Sequence, residues 1–342
     1  MNFYTFNSKN KYVMSIIISF FIFILLIDFV LYFYISNKTN KSTYIEEKIS
    51  RAKHMKLNID NQKDYIFIGS SRVKYHINSE IFNNKNIDIF NFGVSGRELI
   101  DFPYMVNKAI DENPKNIVLN FSIDKLFKDS KLGDYQQITY TDIHYLFKTK
   151  QDSEIIKNAF LSYVKNLHLI SAYSVTINEK IQMFYNKFNI QKKSNVILTE
   201  KKIKNIKPNC KVLKTYSTKQ GLVSNCTNGE GVMYGINFNA EDKNIVLNQI
   251  NETHINLINS LIKEINSKNI NIIIIFDPTY NKSFSYDLDK LKSLIKSKNI
   301  IDLTNYKIEK KYWANQSHLN IYGRDVYSEY LSDYFRNNFN SK

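Results

Sequence analysis

With only two cysteines, four prolines, nine glycines and one tryptophan in 342 residues, this chain lacks several of the features that usually announce a protein class. Two cysteines cannot build a disulfide framework. Cys210 and Cys226 flank a short polar segment and, in an oxidising compartment, can close one loop at most. The six histidines are scattered without the spacing of a metal-ligand set, so the sequence implies no metal centre and no cofactor. Scarce glycine and proline exclude collagen-like and proline-rich low-complexity classes. There is no internal repeat, no zinc-finger spacing and no recognisable nucleic-acid module.

Negative charge is also in short supply, with 32 acidic residues against 47 Lys and Arg and a formal charge of +15. Such an excess suits anionic surfaces such as phospholipid headgroups or acidic glycans. The lysines are spread among asparagine and isoleucine rather than gathered into a stripe, so no nucleic-acid partner is expected.

What is present is apolar. At 43% hydrophobic and 14% aromatic residues the chain can bury a real core, which excludes disorder throughout. Val13 to Ile35 forms one run long enough to cross a bilayer, for which about 20 apolar residues suffice. Lys9 and Lys11 precede it, as expected for a cytoplasmic N-terminus. Its exit, Tyr32-Phe33-Tyr34-Ile35, is an aromatic belt and not a small-residue cleavage site, so the run reads as an uncleaved signal anchor. The expected organisation is a cytoplasmic tail at 1–12, a transmembrane helix at 13–35, a stalk at 36–63 and a globular domain at 64–342. That domain would lie on the outer, periplasmic or extracellular, face. Asp28 inside the span is either tolerated near the interface or contacts a polar group on a membrane partner.

Within the globular part, Tyr65 to Ile68, Asn86 to Gly93 and Lys115 to Ser122 read as strands, with a helix at 99–110 between the second and third. This alternation of strands and helices is the signature of a parallel, doubly wound α/β sheet. An insertion at about 128–242, mostly helical, interrupts it and is expected over the catalytic edge as a lid or glycan-binding subdomain. A helix over 243–267, a buried strand at 269–276, a helix at 286–297, a short strand at 299–303 and a closing helix at 319–339 complete the sequence pattern.

Two segments carry candidate chemistry. Tyr65-Ile66-Phe67-Ile68 ends abruptly in Gly69-Ser70-Ser71-Arg72, a strand delivering two hydroxyls to a tight turn at the carboxyl edge where open α/β sheets bind ligands. By itself, such a serine pair is an ordinary helix cap. Asn315-Gln316-Ser317-His318-Leu319-Asn320 follows the last strand, which brings His318 toward the same edge. With these blocks the chain resembles the SGNH/GDSL hydrolase superfamily, in particular its membrane-anchored branch. That branch includes the SGNH proteins of teichoic-acid D-alanylation and the acyltransferases of exported polysaccharides. The resemblance covers about 64–127 and 269–335.

The resemblance implies a three-layer, flavodoxin-like α/β/α fold. It also implies Ser71 as nucleophile and His318 as general base, with the backbone N–H groups of Ser71 and Gly96 (in Asn91-Phe92-Gly93-Val94-Ser95-Gly96) as oxyanion hole. It points to an acyl donor, a glycan or lipid-linked acceptor, and an acyl-exporting membrane partner reached through the transmembrane helix. Two departures stand out. The position of the family's oxyanion asparagine falls near Ile123 in Phe121-Ser122-Ile123-Asp124, and the triad aspartate is replaced by Asn315. The second departure leaves three outcomes: a Ser71–His318 dyad, a replacement carboxylate such as Asp302 or Asp325, or an inactive scaffold that binds glycan or helps assemble an envelope complex.

Overall fold

The computed structural model describes residues 8–37, 44–58, 61–128, 140–166, 208–218, 221–235 and 241–339, with positions 130, 132 and 138. In chain order the helices are α1 (Ser8–Asn37), α2 (Tyr44–Asn58), α3 (Ser71–His76), α4 (Ser79–Asn83), α5 (Phe102–Asp111), α6 (Tyr140–Lys148), α7 (Ser153–Asn166), α8 (Glu252–Asn266), α9 (Leu288–Leu294) and α10 (Ile321–Asn338). The strands are β1 (Tyr65–Gly69), β2 (Ile89–Gly93), β3 (Asn116–Phe121), β4 (Val212–Thr218), β5 (Gly221–Cys226), β6 (Gly231–Tyr234), β7 (Lys243–Val246), β8 (Asn271–Phe276), β9 (Lys282–Ser285) and β10 (Ile300–Asp302).

The core is a five-stranded parallel sheet ordered β2-β1-β3-β8-β10. Counting only these strands, the order is 2-1-3-4-5, the flavodoxin-like arrangement, whose switch point lies between β1 and β3. The apolar runs form strands here because parallel strands are covered on both faces. Alternate side chains divide between two layers. Ile66, Ile68, Phe92, Leu119 and Ile274 pack with α2, α5 and α8 on one face. Tyr65, Phe67, Val118 and Ile273 pack with Phe82 of α4 and Tyr327, Leu331 and Phe335 of α10 on the other.

Three features differ from the sequence reading. Within the segment read as a stalk at 36–63, α2 is docked on the domain, burying Lys48, Ile49, Arg51, Ala52 and Met55. The insertion is not mostly helical among its described residues, because α6 and α7 are followed by a three-stranded antiparallel sheet, β4-β5-β6; residues 167–207 lie outside the described residues. This small sheet packs behind α3 and the start of α10, with Val223 and Met233 against Tyr75 and Val232 against Ile321, and it carries the Cys210–Cys226 disulfide. Residues 243–246 are a strand paired with β9, so the helix expected from 243 begins at Glu252, where the Asn251 side chain caps it.

α1 is a 30-residue helix, about 45 Å long at 1.5 Å per residue. Its described apolar side chains are exposed almost throughout, as at Ile16, Phe20, Phe23 and Leu26. Over the described residues alone, no helix is long and apolar enough to cross a membrane. The span read at 13–35 includes positions, Asp28 among them, whose side chains lie outside the described residues.

Candidate active site

The turn after β1 is built by steric necessity. A Cβ on Gly69 would meet Val73 Cγ2 at 2.4 Å and the Asn120 carbonyl at 2.5 Å, and one on Gly93 would meet the Lys74 backbone nitrogen at 2.1 Å. The two glycines let α3 lie directly on β1 and β2. The buried Asn91 amide fastens it there, donating to the carbonyls of Val73 (2.9 Å) and Ile77 (3.0 Å). Ser70 is the N-cap, its hydroxyl accepting from Arg72 N–H, and Ser71 is the first residue of α3. The two serines thus divide the roles, one capping the helix and the other facing the cleft.

His318 arrives from the far end of the sequence on a tight reversal anchored by buried Trp313, whose indole donates to the Ile308 carbonyl. Trp313 and Leu319 form an antiparallel bridge, and the His318 carbonyl accepts from Ala314 and Asn315 N–H. This places His318 Nε2 2.8 Å from Ser71 Oγ. The other ring nitrogen, Nδ1, is 3.0 Å from Asn315 Oδ1.

The amide orientation of Asn315 follows from its partners. The same oxygen accepts the backbone N–H groups of Ser317 (2.9 Å) and His318 (3.0 Å), which only an oxygen can do. Nδ1 therefore carries the proton it donates to Asn315, and Nε2 presents its lone pair to the Ser71 hydroxyl. Burial first, and the Arg72 guanidinium second, push the His318 imidazole down to about 4, so it is neutral at physiological pH.

The cleft around this pair has a volume of about 290 Å³, and its walls include Gly96, Phe121, Ser122 and Ser317. Gly96 adopts φ 69°, a left-handed conformation natural to glycine. Four cations reach the same cleft. Arg97 is held by Asp101 and Lys125 by Glu98, whereas Arg72 and Lys282 make no ion pair among the described residues. No described residue of the insertion lines the cleft, so the lid expected there is not formed by its described part.

Neither proposed replacement carboxylate reaches His318. Asp302 ends β10, three strand spacings from β1, or about 14 Å. It accepts instead from Tyr286 Oη (2.6 Å) and Thr304 Oγ1 (2.8 Å). Asp325 accepts from Asn78 Nδ2. Asn120, near the expected oxyanion-asparagine position, is turned away from the cleft and donates to buried Asp277 (3.0 Å).

Sequence reasoning missed two neighbours. His76, at the end of α3, accepts the Leu319 N–H through Nε2 (3.2 Å) and stands edge-on to His318, with ring centroids 6.3 Å apart. Tyr75 packs edge-on against the other side of His318, at 5.4 Å. Only their position on the short helix after Ser71 could have marked them. Among the described residues no cluster of His, Cys, Asp or Glu is able to hold a metal ion. No protein-family model matches the chain, and no curated protein matches it at a significant level.

Proposed function

We propose that this chain is a membrane-anchored, SGNH-like serine acyltransferase or esterase acting on a cell-envelope or exported polysaccharide. The observation that carries the reading is the Ser71 Oγ–His318 Nε2 contact of 2.8 Å, with Nδ1 held by an oriented acceptor. Ser71 Oγ attacks the carbonyl carbon of the acyl donor while its proton passes to His318 Nε2. The N–H groups of Ser71 and Gly96 face the oxyanion, where each donor contributes a few kcal/mol. Collapse expels the leaving alcohol, which takes the proton from Nε2 and leaves the acyl group on Ser71. An acceptor hydroxyl, or water, then gives its proton to His318 as it attacks the acyl carbon, and His318 Nε2 returns that proton to Ser71 Oγ as the bond between Ser71 and the acyl group breaks.

The glycan or lipid-linked acceptor, the acyl-exporting membrane partner and placement on the outer face belong to the same proposal. They are supported by the apolar circumference of α1 and by the Cys210–Cys226 disulfide, a bond characteristic of oxidising compartments. The alternative is an inactive scaffold for glycan binding or complex assembly, favoured by the missing carboxylate at Asn315. A fluorophosphonate probe on the full-length chain in detergent micelles separates the two. The enzyme reading expects covalent labelling at Ser71, lost in Ser71→Ala and His318→Ala. Absence of labelling while a known serine esterase reacts would leave the scaffold.

A further inference from the structure

Six charged side chains that take no part in the reaction are gathered beside the site. They are Glu47 and Lys48 of α2, Lys74 of α3, Arg97 and Asp101 after β2, and Asp142 of α6. Lys48, fully buried, donates to Asp101 (2.8 Å) and Asp142 (2.5 Å), and its ammonium lies 5.2 Å from the Tyr104 ring centroid. Asp101 also accepts from Arg97 (3.0 Å) and, through its other oxygen, from Glu98 N–H. Lys74 donates to Glu47 (2.7 Å) and approaches Ser95 Oγ (3.5 Å). Three positive and three negative groups thus balance.

Burying such charges contributes little net stability, because desolvation offsets the attraction between them. What they fix is position. Glu47 and Lys48 are adjacent in sequence yet grip different walls of the cleft. Glu47 holds Lys74, three residues beyond Ser71 on the same short helix. Lys48 holds Asp101, which closes the loop that starts at Ser95 and contains Gly96. The loop is therefore gripped at both ends, by Lys74 at Ser95 and by Lys48 at Asp101, and both lysines depend on α2 or are part of it. α2 is the helix that follows α1 in the chain.

We propose that α2 is a strap and that Glu47 and Lys48 are positioning residues that set the Gly96 loop against Ser71. This rests on the acyl-transfer reading, since it is the oxyanion geometry that the strap would secure. A misplacement of 1 Å at a reacting centre costs about a hundredfold in rate. In this arrangement catalytic competence is tied to the docking of the anchor-side helix.

The test uses full-length protein in detergent micelles, with 4-nitrophenyl acetate hydrolysis and fluorophosphonate labelling as readouts beside thermal unfolding. Glu47→Gln and Lys48→Met should each lower kcat by about 10- to 100-fold in folded protein while KM stays within about twofold. The charge swap Glu47→Lys with Lys74→Glu restores an opposite-charge pair and should recover kcat to within about threefold of wild type, which a general loss of stability would not allow. Unchanged kcat in folded Glu47→Gln, or a swap no better than Glu47→Gln alone, overturns the strap while leaving the enzyme reading intact. The swap decides the matter if Lys48→Met fails to fold. A wild-type chain that neither turns over the ester nor labels at Ser71 overturns the enzyme reading and the strap with it.

Discussion

Asn315→Asp places a carboxylate where an amide oxygen now faces His318. In a serine protease the reverse change costs about 10⁴ in turnover, largely because the amide forces the wrong imidazole tautomer. That loss is not built in here, because Ser317 and His318 N–H hold Oδ1 of Asn315 toward Nδ1 and fix the productive tautomer. What the amide cannot supply is negative charge to stabilise the imidazolium. The same two N–H groups would hold a carboxylate oxygen at least as well, so the geometry is prepared for the substitution. An opposite charge at this range raises a histidine pKa by about 1–3 units, moving His318 from about 4 to roughly 5–7.

Each unit of added basicity is worth at most about tenfold when proton transfer is complete in the transition state. At pH 8, where His318 is neutral in both proteins, Asn315→Asp should therefore raise kcat/KM for 4-nitrophenyl acetate by about 10- to 100-fold. At pH 5 the gain should shrink or vanish, because an imidazole with pKa near 6 is about nine-tenths protonated there. The assay is a pH–rate profile of the full-length chain in detergent micelles from pH 4 to 9. An acid limb that stays at the wild-type midpoint, or a loss of activity at pH 8 in folded protein, would refute the assignment of Asn315 as the group that orients His318.

Three further outcomes follow from the same geometry. His318 and His76 both have folded-state pKa values below the ordinary 6.5, so their contribution is fully present above pH 6.5 and is lost as pH falls below it, for His318 down to about 4; His318 alone should account for about 2 kcal/mol between pH 7.5 and 5, and a His318→Gln variant that loses stability just as steeply in thermal unfolding over that range would contradict this. Gly93→Ala drives a Cβ into the Lys74 backbone and should cost about 1–3 kcal/mol or more, lowering Ser71 labelling together with the unfolding midpoint; a protein with native midpoint and labelling would show that α3 does not rest on β2 as described. Cutting the 16-residue Cys210–Cys226 link by paired Cys→Ser substitution should lower stability by up to about 3 kcal/mol, and identical denaturant midpoints with and without the bond would rule out its structural contribution.

The central sheet was legible because its strands are covered on both faces. Tyr65–Ile68 and Ile272–Phe276 are continuous apolar runs with no other economical home, and the order of elements predicted the parallel topology. Serine and histidine at two strand ends could be paired for the same reason. α2 was illegible because hydropathy sends Lys48 and Arg51 to solvent, whereas here they are buried against Asp101, Asp142 and the Asn228 carbonyl. Lys243–Val246 was absorbed into the following helix because four residues are too few to separate a period of 2 from one of 3.6. Asp302 had the right chemistry for a triad carboxylate but the wrong place, since nearness to His318 in sequence does not cancel three intervening strand spacings. The role of Asn315 needed coordinates, because no pattern reveals which way an amide points.

The weak base does not by itself decide between transfer and hydrolysis. A neutral His318 with pKa near 4 is a poor proton acceptor for any nucleophile that attacks the acyl-enzyme, water included. Water gains nothing from binding energy, so it bears that handicap in full. An acceptor hydroxyl held in the cleft can offset it, because well-oriented groups react as though present at effective concentrations of about 10⁵–10⁸ M. The weak base slows both nucleophiles alike, so the ratio of transfer to hydrolysis is set by the contacts an acceptor makes in the cleft, where Lys282 is a wall cation without an ion pair among the described residues. On this reasoning Asn315→Asp should raise transfer and hydrolysis by a similar factor, and a change in their ratio is expected instead from Lys282→Ala, which removes a contact open to the acceptor alone.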